Sequence, residues 1–486
     1  MSRSIELRTR SRSLDSARSS NGYGPVPNID EDNDLDPFEL NDNVFVLGDE
    51  EEEGDSFITS RGKFPQKLLN FGRGRKVSQP HETTPKNGIC GTVFLLLNTM
   101  IGSGILNQPQ VFSESGLVGG ATLYLICCAT VWVAQQKLLQ AGLKTGVMDY
   151  GKLAHECYGR AGSWTLDGMM VLGGFMAQCS YLTVIAGETV AVLETVMGND
   201  MKVITEVHVL PVVTVAIVLP LCMTRHFGHL ACISVISITS MALVIGCVIF
   251  AGPHEGRLQG YANDPLLLFS LPGVVQKVGA MLYGVNSMSS TFFAYQSMEV
   301  RTPERWRSVT SITMLVGATM CLVTGIGGYL AFRSGTDGDI LDMFTGASVF
   351  VAVKVMVIFH LILYLPVSFL VSRHSFSLLV FKQDVLDMSF CPYFILTTSL
   401  LGGPFLVVMT LFFLNMSEGD AFGYILDITG SLCVGCIALT LPGLIYLKVV
   451  WRSKKSLTKV GIYFLIFGII LNFLVPTVNV LKRMEQ

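Results

Sequence analysis

Eleven apolar runs, each about the length that crosses a bilayer as a helix, leave this chain few folds to adopt. They fall near residues 88–112, 117–139, 163–186, 203–223, 228–251, 273–297, 309–332, 348–371, 391–414, 421–446 and 458–480. In lipid, backbone N–H and C=O groups must bond within the protein, and long runs do so as α-helices. Only 15% of the residues are charged, against about 25% in soluble domains. The expected fold class is therefore all-α integral membrane, with eleven transmembrane helices. In the third run apolar character continues to Val196, past Glu188 and Glu194, which predicts a long helix emerging from the membrane. The net charge of −3 is segregated along the chain and points to no nucleic-acid partner. The partner that the runs require is the lipid bilayer.

Residues 1–87 read differently. Residues 1–30 are rich in Ser, Arg and Asn, and residues 30–55 are acidic, peaking at Asp49–Glu53. Residues 61–86 are basic, with Arg61, Lys63, Lys67, Arg73, Arg75, Lys76 and Lys86. Such a segment buries too little apolar surface to fold, so a disordered tail is expected, open to regulatory proteins that bind it. No cleaved signal peptide is evident. The basic residues of the short loops fix an orientation. One side holds Lys137, Lys144, Lys152, Arg160, Arg225, Arg301, Arg305, Arg307, Arg373, Lys382, Lys448, Arg452, Lys454 and Lys455. The other holds Lys202, Arg257 and Arg333, with Lys482 and Arg483 at the end. This places the tail in the cytosol, the membrane domain at 88–480, and a short non-cytosolic C-terminus at 481–486. A plasma membrane and a vacuolar or lysosomal membrane both fit. The sequon Asn415-Met-Ser417 lies in a short outer loop at the membrane surface and is expected to stay unmodified. Most of the twelve cysteines lie within apolar runs, so no external disulfide is expected, and Cys433 and Cys436 read as small packing residues.

Two runs carry residues that a plain spanning helix does not need. Asn98-Thr-Met-Ile-Gly-Ser-Gly-Ile-Leu-Asn-Gln-Pro109 places Gly102-Ser-Gly104 inside the first run. In the sixth, Gly284 is followed by Asn286, Ser287, Ser289, Ser290 and Thr291. Close packing of small residues and hydrogen bonds between helices are one explanation. The other is a pair of discontinuous helices around a bound solute. The first and sixth runs each begin a set of five, the arrangement of an inverted repeat with one helix left over. Half-helix N-termini can receive a carboxylate and unwound carbonyls a cation, so the two ends of an amino acid would both be satisfied. No Walker loop, zinc-ligand spacing or nucleophile elbow is present, which argues against an enzyme, and nothing resembles the filter of a channel.

Leu97-Asn-Thr-Met-Ile-Gly-Ser-Gly-Ile-Leu-Asn-Gln-Pro109 resembles the first-helix motif of the amino acid/auxin permease superfamily, in particular of the sodium-coupled neutral amino acid transporters. Further similarities follow in order. Cys179–Thr189 resembles the family's third helix, Leu219–Leu230 its fourth-to-fifth loop, and Thr302-Pro-Glu-Arg-Trp306 its linker after the sixth helix. Phe422–Gly430 with Pro442 resembles its tenth. The resemblance implies a LeuT-like 5+5 inverted repeat plus one helix. It implies a secondary active transporter moving neutral amino acids by alternating access, coupled to Na+ or H+, with no other cofactor. The substrate contacts it implies fall on Ile101, Gly102, Ser103 and Gly104, and on Tyr283 and Gly284, with Val285, Asn286, Ser287 and Met288 shaping the pocket. Asn98 takes the place of an asparagine that the family associates with sodium. Two positions depart from the pattern. Met288 stands where a histidine is frequent, and Tyr364, two residues before Pro366, stands where a small hydroxyl residue is expected. The ion-coupling set is therefore Asn98, Ile101, Tyr364 and His360, whose imidazole can titrate near neutral pH. Lys354 and Asp427 are expected to sit near one another or near the outer vestibule. An amino-acid sensor signalling through the tail is the alternative function.

Overall fold

The computed structural model describes residues 87–197, 205–344, 348–414, 418–450 and 455–485. The tail up to residue 86, the sequon at 415–417 and the last residue lie outside this set.

The first segment is a broken pair, α1 (Ile89–Met100) and α2 (Gln108–Ser115). There follow α3 (Leu117–Thr145) and α4 (Tyr150–Met197). Next, α5 (Glu206–Val213) runs through a π turn into α6 (Leu219–Cys222), and α7 (Ala231–Leu258) follows. The sixth segment is a second broken pair, α8 (Leu271–Gly284) and α9 (Thr291–Ser297). The chain continues with α10 (Pro303–Phe332), α11 (Ser348–Val380) and α12 (Phe390–Phe413). Last, α13 (Glu418–Ile428) continues through two π turns into α14 (Leu441–Val450), and α15 (Lys455–Glu485) ends the chain.

Among the described residues, eight helical segments are long and apolar enough to cross a membrane, nine if the bent first pair is one span. Besides the bent first pair, two of the eleven runs fall short of that length as unbroken helices. The fourth carries Pro211, which removes a backbone donor, and a π turn at Thr214–Val218. The sixth is interrupted after Gly284. The helix of the third run is long, as expected, and continues to Met197. At its other end α4 is kinked at Gly159, whose φ of 65° suits a residue without Cβ.

Local signals explain where the elements begin. Thr302 caps α10 by accepting from Arg305 N at 3.3 Å, Pro303 occupies the first turn, and Trp306 is fully buried. The Thr-Pro-Glu-Arg-Trp stretch is thus a cap, a preset φ, a favourable N-terminal charge and an anchor. In the loop after α6, the guanidinium of buried Arg373 donates to the carbonyls of Cys222 and Thr224, both at 2.6 Å, and to Thr397 Oγ1 at 3.2 Å. It also lies 4.6 Å from the centre of the Tyr393 ring. One side chain thereby joins α6, α11 and α12. Arg373→Leu should lower the melting temperature sharply, since each orphaned buried carbonyl costs about 1–3 kcal/mol. A melt of the detergent-purified protein indistinguishable from wild type would rule this out.

Candidate functional site

The two broken segments lie side by side and antiparallel. Asn87 N donates to Ser297 O at 2.8 Å and Glu299 N to Asn87 O at 3.0 Å, so the first segment begins where the sixth ends. At the opposite face Ser270 N donates to Ser115 O at 3.0 Å, so the first ends where the sixth begins. Each break therefore faces the other.

Helix α1 closes with Ile101 N bonded to Leu97 O at 2.8 Å. Ile101 (φ −97°, ψ 89°) and Gly102 (φ −114°, ψ −149°) then leave helical geometry, and a 3-10 turn at Ser103–Ile105 leads towards α2. The two halves are bent by 65°. In the sixth segment Val285 N and Asn286 N bond back to Leu282 O and Tyr283 O, each at 3.3 Å. Asn286 Oδ1 accepts from Met288 N at 3.1 Å, ahead of a 3-10 turn at Met288–Ser290. The glycines are required by close approach. A Cβ on Gly104 would lie 2.7 Å from Tyr283 Cδ1, one on Gly102 2.7 Å from Tyr364 Cζ, and one on Gly284 2.8 Å from Gln108 Nε2. Gln108 Nε2 also donates to Gly104 O at 2.9 Å, spanning the break within its own segment.

Three tyrosines from three segments meet beside the breaks. The hydroxyls of Tyr181 and Tyr283 are 2.8 Å apart, Tyr181 OH donates to Tyr364 OH at 3.4 Å, and Tyr364 OH donates to Thr99 O at 3.2 Å. All three line a cavity of about 80 Å³ together with Thr99, Asn286 and Ser290. Of the ten residues expected at the substrate, Tyr283 and Asn286 face this cavity. Ser103 is held by Ser180, with their hydroxyls 3.1 Å apart. Ser287 Oγ accepts from Gln135 Nε2 at 2.8 Å, towards α3. Ile101, Gly102, Gly104, Gly284, Val285 and Met288 are buried at the breaks and do not line the cavity. Sequence reasoning missed Tyr181, Ser180 and Gln135. The one signal for them is a polar side chain inside an apolar run. Removing the Tyr181 hydroxyl with Tyr181→Phe breaks both phenol contacts. At about 1 kcal/mol per bond, it should weaken apparent substrate affinity by up to about 30-fold at unchanged protein level, read from the concentration dependence of uptake.

Of the ion-coupling candidates, Ile101 sits at the first break and Tyr364 lines the cavity beside it. Asn98 is fully buried, with no hydrogen-bond partner for either amide atom. His360 lies 3.1 Å through Nε2 from Ile101 O and 2.9 Å through Nδ1 from Ser237 Oγ.

Of the two arrangements expected for the charges at depth, the first is not found: Lys354 and Asp427 do not pair with each other. Lys354 Nζ lies 2.8 Å from Glu188 Oε2. Asp427 Oδ2 lies 2.9 Å from Lys277 Nζ, which also reaches Glu114 Oε1 at 3.2 Å and Gln110 Oε1 at 3.2 Å. Each buried charge has taken the nearest opposite one, on a segment distant in sequence. The Lys354 pair borders a second cavity of about 270 Å³, where Glu194, Glu206, Asp339 and Asp342 also sit. In the loop before α11, burial pushes the Asp339 carboxyl well above the usual carboxylate range, and Glu188 and Asp342 push the same way. Among the described residues no group of His, Cys, Asp and Glu has the arrangement of a metal site.

Residues 86–481 match the family described as transmembrane amino acid transporter protein. A rat protein named "Putative sodium-coupled neutral amino acid transporter 11" is 26% identical over 376 residues, covering 76% of this chain and 79% of its own length. The zebrafish protein of that name is 24% identical, covering 80% of this chain and 87% of its own. Among solved structures, the manganese transporter of Eremococcus coleocola bound to an aromatic bis-isothiourea substituted compound superposes with a TM-score of 0.53 at 12% identity. It covers 83% of this chain and 91% of that one. At such identity the likeness is one of fold.

Proposed function

Because the chain belongs to the transmembrane amino acid transporter family, we propose that it moves neutral amino acids across a membrane by alternating access. In this reading the substrate is held where the first and sixth segments break. The observation that carries it is the antiparallel pairing of the two breaks, with Gly104 against Tyr283. Such a junction offers half-helix N-termini to a carboxylate and unwound carbonyls to an ammonium group. The ten residues Ile101, Gly102, Ser103, Gly104, Tyr283, Gly284, Val285, Asn286, Ser287 and Met288 form the two walls of this junction. The same pairing supports a LeuT-like 5+5 inverted repeat of eleven helices, in which the fourth and sixth runs count as spans although broken or short.

The basic loops support a cytosolic N-terminus, in the plasma membrane or a vacuolar or lysosomal one. The 80 Å³ cavity is lined by Thr99 and Met100 of α1 and by Ser289 and Ser290 ahead of α9. These are the halves nearest the face where the chain enters, which in this reading is the cytosolic side. The opposite halves, α2 and α8, are tied to α13 by the Lys277 ion pairs. Alternating access then requires these pairs to loosen while the first and sixth segments rock. Na+ or H+ is the coupling ion, at Asn98, Ile101, His360 and Tyr364. A tail-signalling sensor is not favoured, because the matched family is described as transporters. The test is uptake of a panel of neutral amino acids into vesicles, by the full chain and by a form lacking residues 1–85. A transporter core keeps its flux without the tail. Amino-acid binding with no flux in either form would favour the sensor.

A further inference from the structure

A coupling ion at a broken membrane helix is held by the carbonyls that the break releases. Here two of those carbonyls already have donors. Tyr364 OH donates to Thr99 O at 3.2 Å, and His360 Nε2 lies 3.1 Å from Ile101 O. A carbonyl only accepts, so a hydrogen bond to Ile101 O uses a proton on Nε2. The other ring nitrogen, Nδ1, lies 2.9 Å from both Ser237 Oγ and Ser237 O. The imidazole thus has a partner on each side, and it is fully buried. Both donors come from α11, one turn apart and on the same face. The Tyr364 ring presses against the break itself, leaving no room for even a Cβ at Gly102.

We propose that His360 and Tyr364 occupy the carbonyls that a coupling sodium ion would use at the first-segment break, so that transport by this chain does not require sodium bound there. The inference rests on the transporter reading above and concerns the ion choice of that site. Two N–H or O–H groups aimed at the released carbonyls place positive hydrogen where a cation would have to sit. The buried amide of Asn98 keeps an oxygen with no hydrogen-bond partner. With the Asn98 and Met100 carbonyls that the helix end also releases, it still falls short of the roughly six oxygens that hard cations gather. The donors are also permanent, so the break keeps its shape with no ion bound. In this respect the chain departs from what the names of its relatives state of those proteins.

Two readouts on the purified full chain keep this inference separate from the transport reading. The first is the melting temperature in matched sodium and N-methylglucamine chloride. The second is initial uptake into vesicles in the same two salts. The inference predicts the same melting temperature and the same uptake in both. Tyr364→Thr, which frees Thr99 O and adds a small hydroxyl, should gain a sodium-specific rise in melting temperature. A sodium-specific rise in the wild type that Asn98→Ala removes overturns the inference. So does a folded Tyr364→Thr protein that remains indifferent to sodium. If no amino acid is taken up in either salt, the transport reading fails, while the melting comparison still decides the question of sodium.

Discussion

Gly104→Leu should abolish amino-acid uptake while leaving the protein inserted and monodisperse. A Cβ at Gly104 would stand 2.7 Å from Tyr283 Cδ1 and 3.0 Å from Tyr283 Cε1. Real Cβ atoms do not approach so closely, and the Tyr283 ring is poorly placed to retreat. Its hydroxyl is bonded to Tyr181 at 2.8 Å, and its Cβ stands against Gly430 of the tenth segment. The strain of overpacking, about 1–3 kcal/mol, falls on the contact that keeps the two breaks together. A membrane domain of this size tolerates that strain, but a transport site assembled at the contact does not. Gly246→Ala is the control. Nothing lies within 4 Å of a Cβ at Gly246, in mid-helix α7, so alanine there should leave uptake unchanged. Equal loss of uptake in both variants, or wild-type uptake by Gly104→Leu, would contradict the role given to the breaks.

The second large effect is expected at Lys277. This lysine is 5% exposed, and its partner Asp427 is 4% exposed. Lys277→Met leaves the Asp427 carboxylate buried and unpaired, and removes the cation from Glu114. Breaking one partner of such a pair costs about 3–5 kcal/mol, a large share of the total stability of a protein. A steep fall in melting temperature and in folded yield should follow. Lys277→Met combined with Asp427→Leu should recover much of the loss, because the buried Asp427 carboxylate is no longer stranded and Glu114, which still loses the cation, is partly exposed. A single variant as stable as wild type would show that water reaches the pair and screens it.

The breaks were legible in the sequence because an apolar spanning run offers few reasons to contain Gly102-Ser-Gly104, or amide and hydroxyl groups packed between Gly284 and Thr291. Lipid makes each such residue expensive unless it has a partner. The facing of the pocket residues was not legible. Val285, Asn286 and Ser287 lie where the backbone is neither helix nor strand, and Met288 opens a single 3-10 turn, so no period says which way each side chain points. Asn286 faces the cavity, while Ser287 is drawn to Gln135 on α3. The ion pairs failed for another reason. Lys354 and Asp427 were visible as charges at depth, but their partners Glu188 and Lys277 lie on distant segments, and only the packing of α4 against α11 and of α8 against α13 brings them together. The long third helix was readable from its continuing apolar character, whereas the kink at Gly159 has no marker apart from the glycine itself.

The central claim is that a neutral amino acid binds at the paired breaks and crosses the membrane there. It is tested most directly by counterflow in proteoliposomes containing the purified full chain, preloaded with one unlabelled neutral amino acid and given the labelled one outside. The account predicts labelled uptake above empty vesicles for at least one neutral amino acid, lost in Gly104→Leu. No counterflow for any neutral amino acid by a folded wild-type protein would contradict it, as would counterflow that survives in Gly104→Leu.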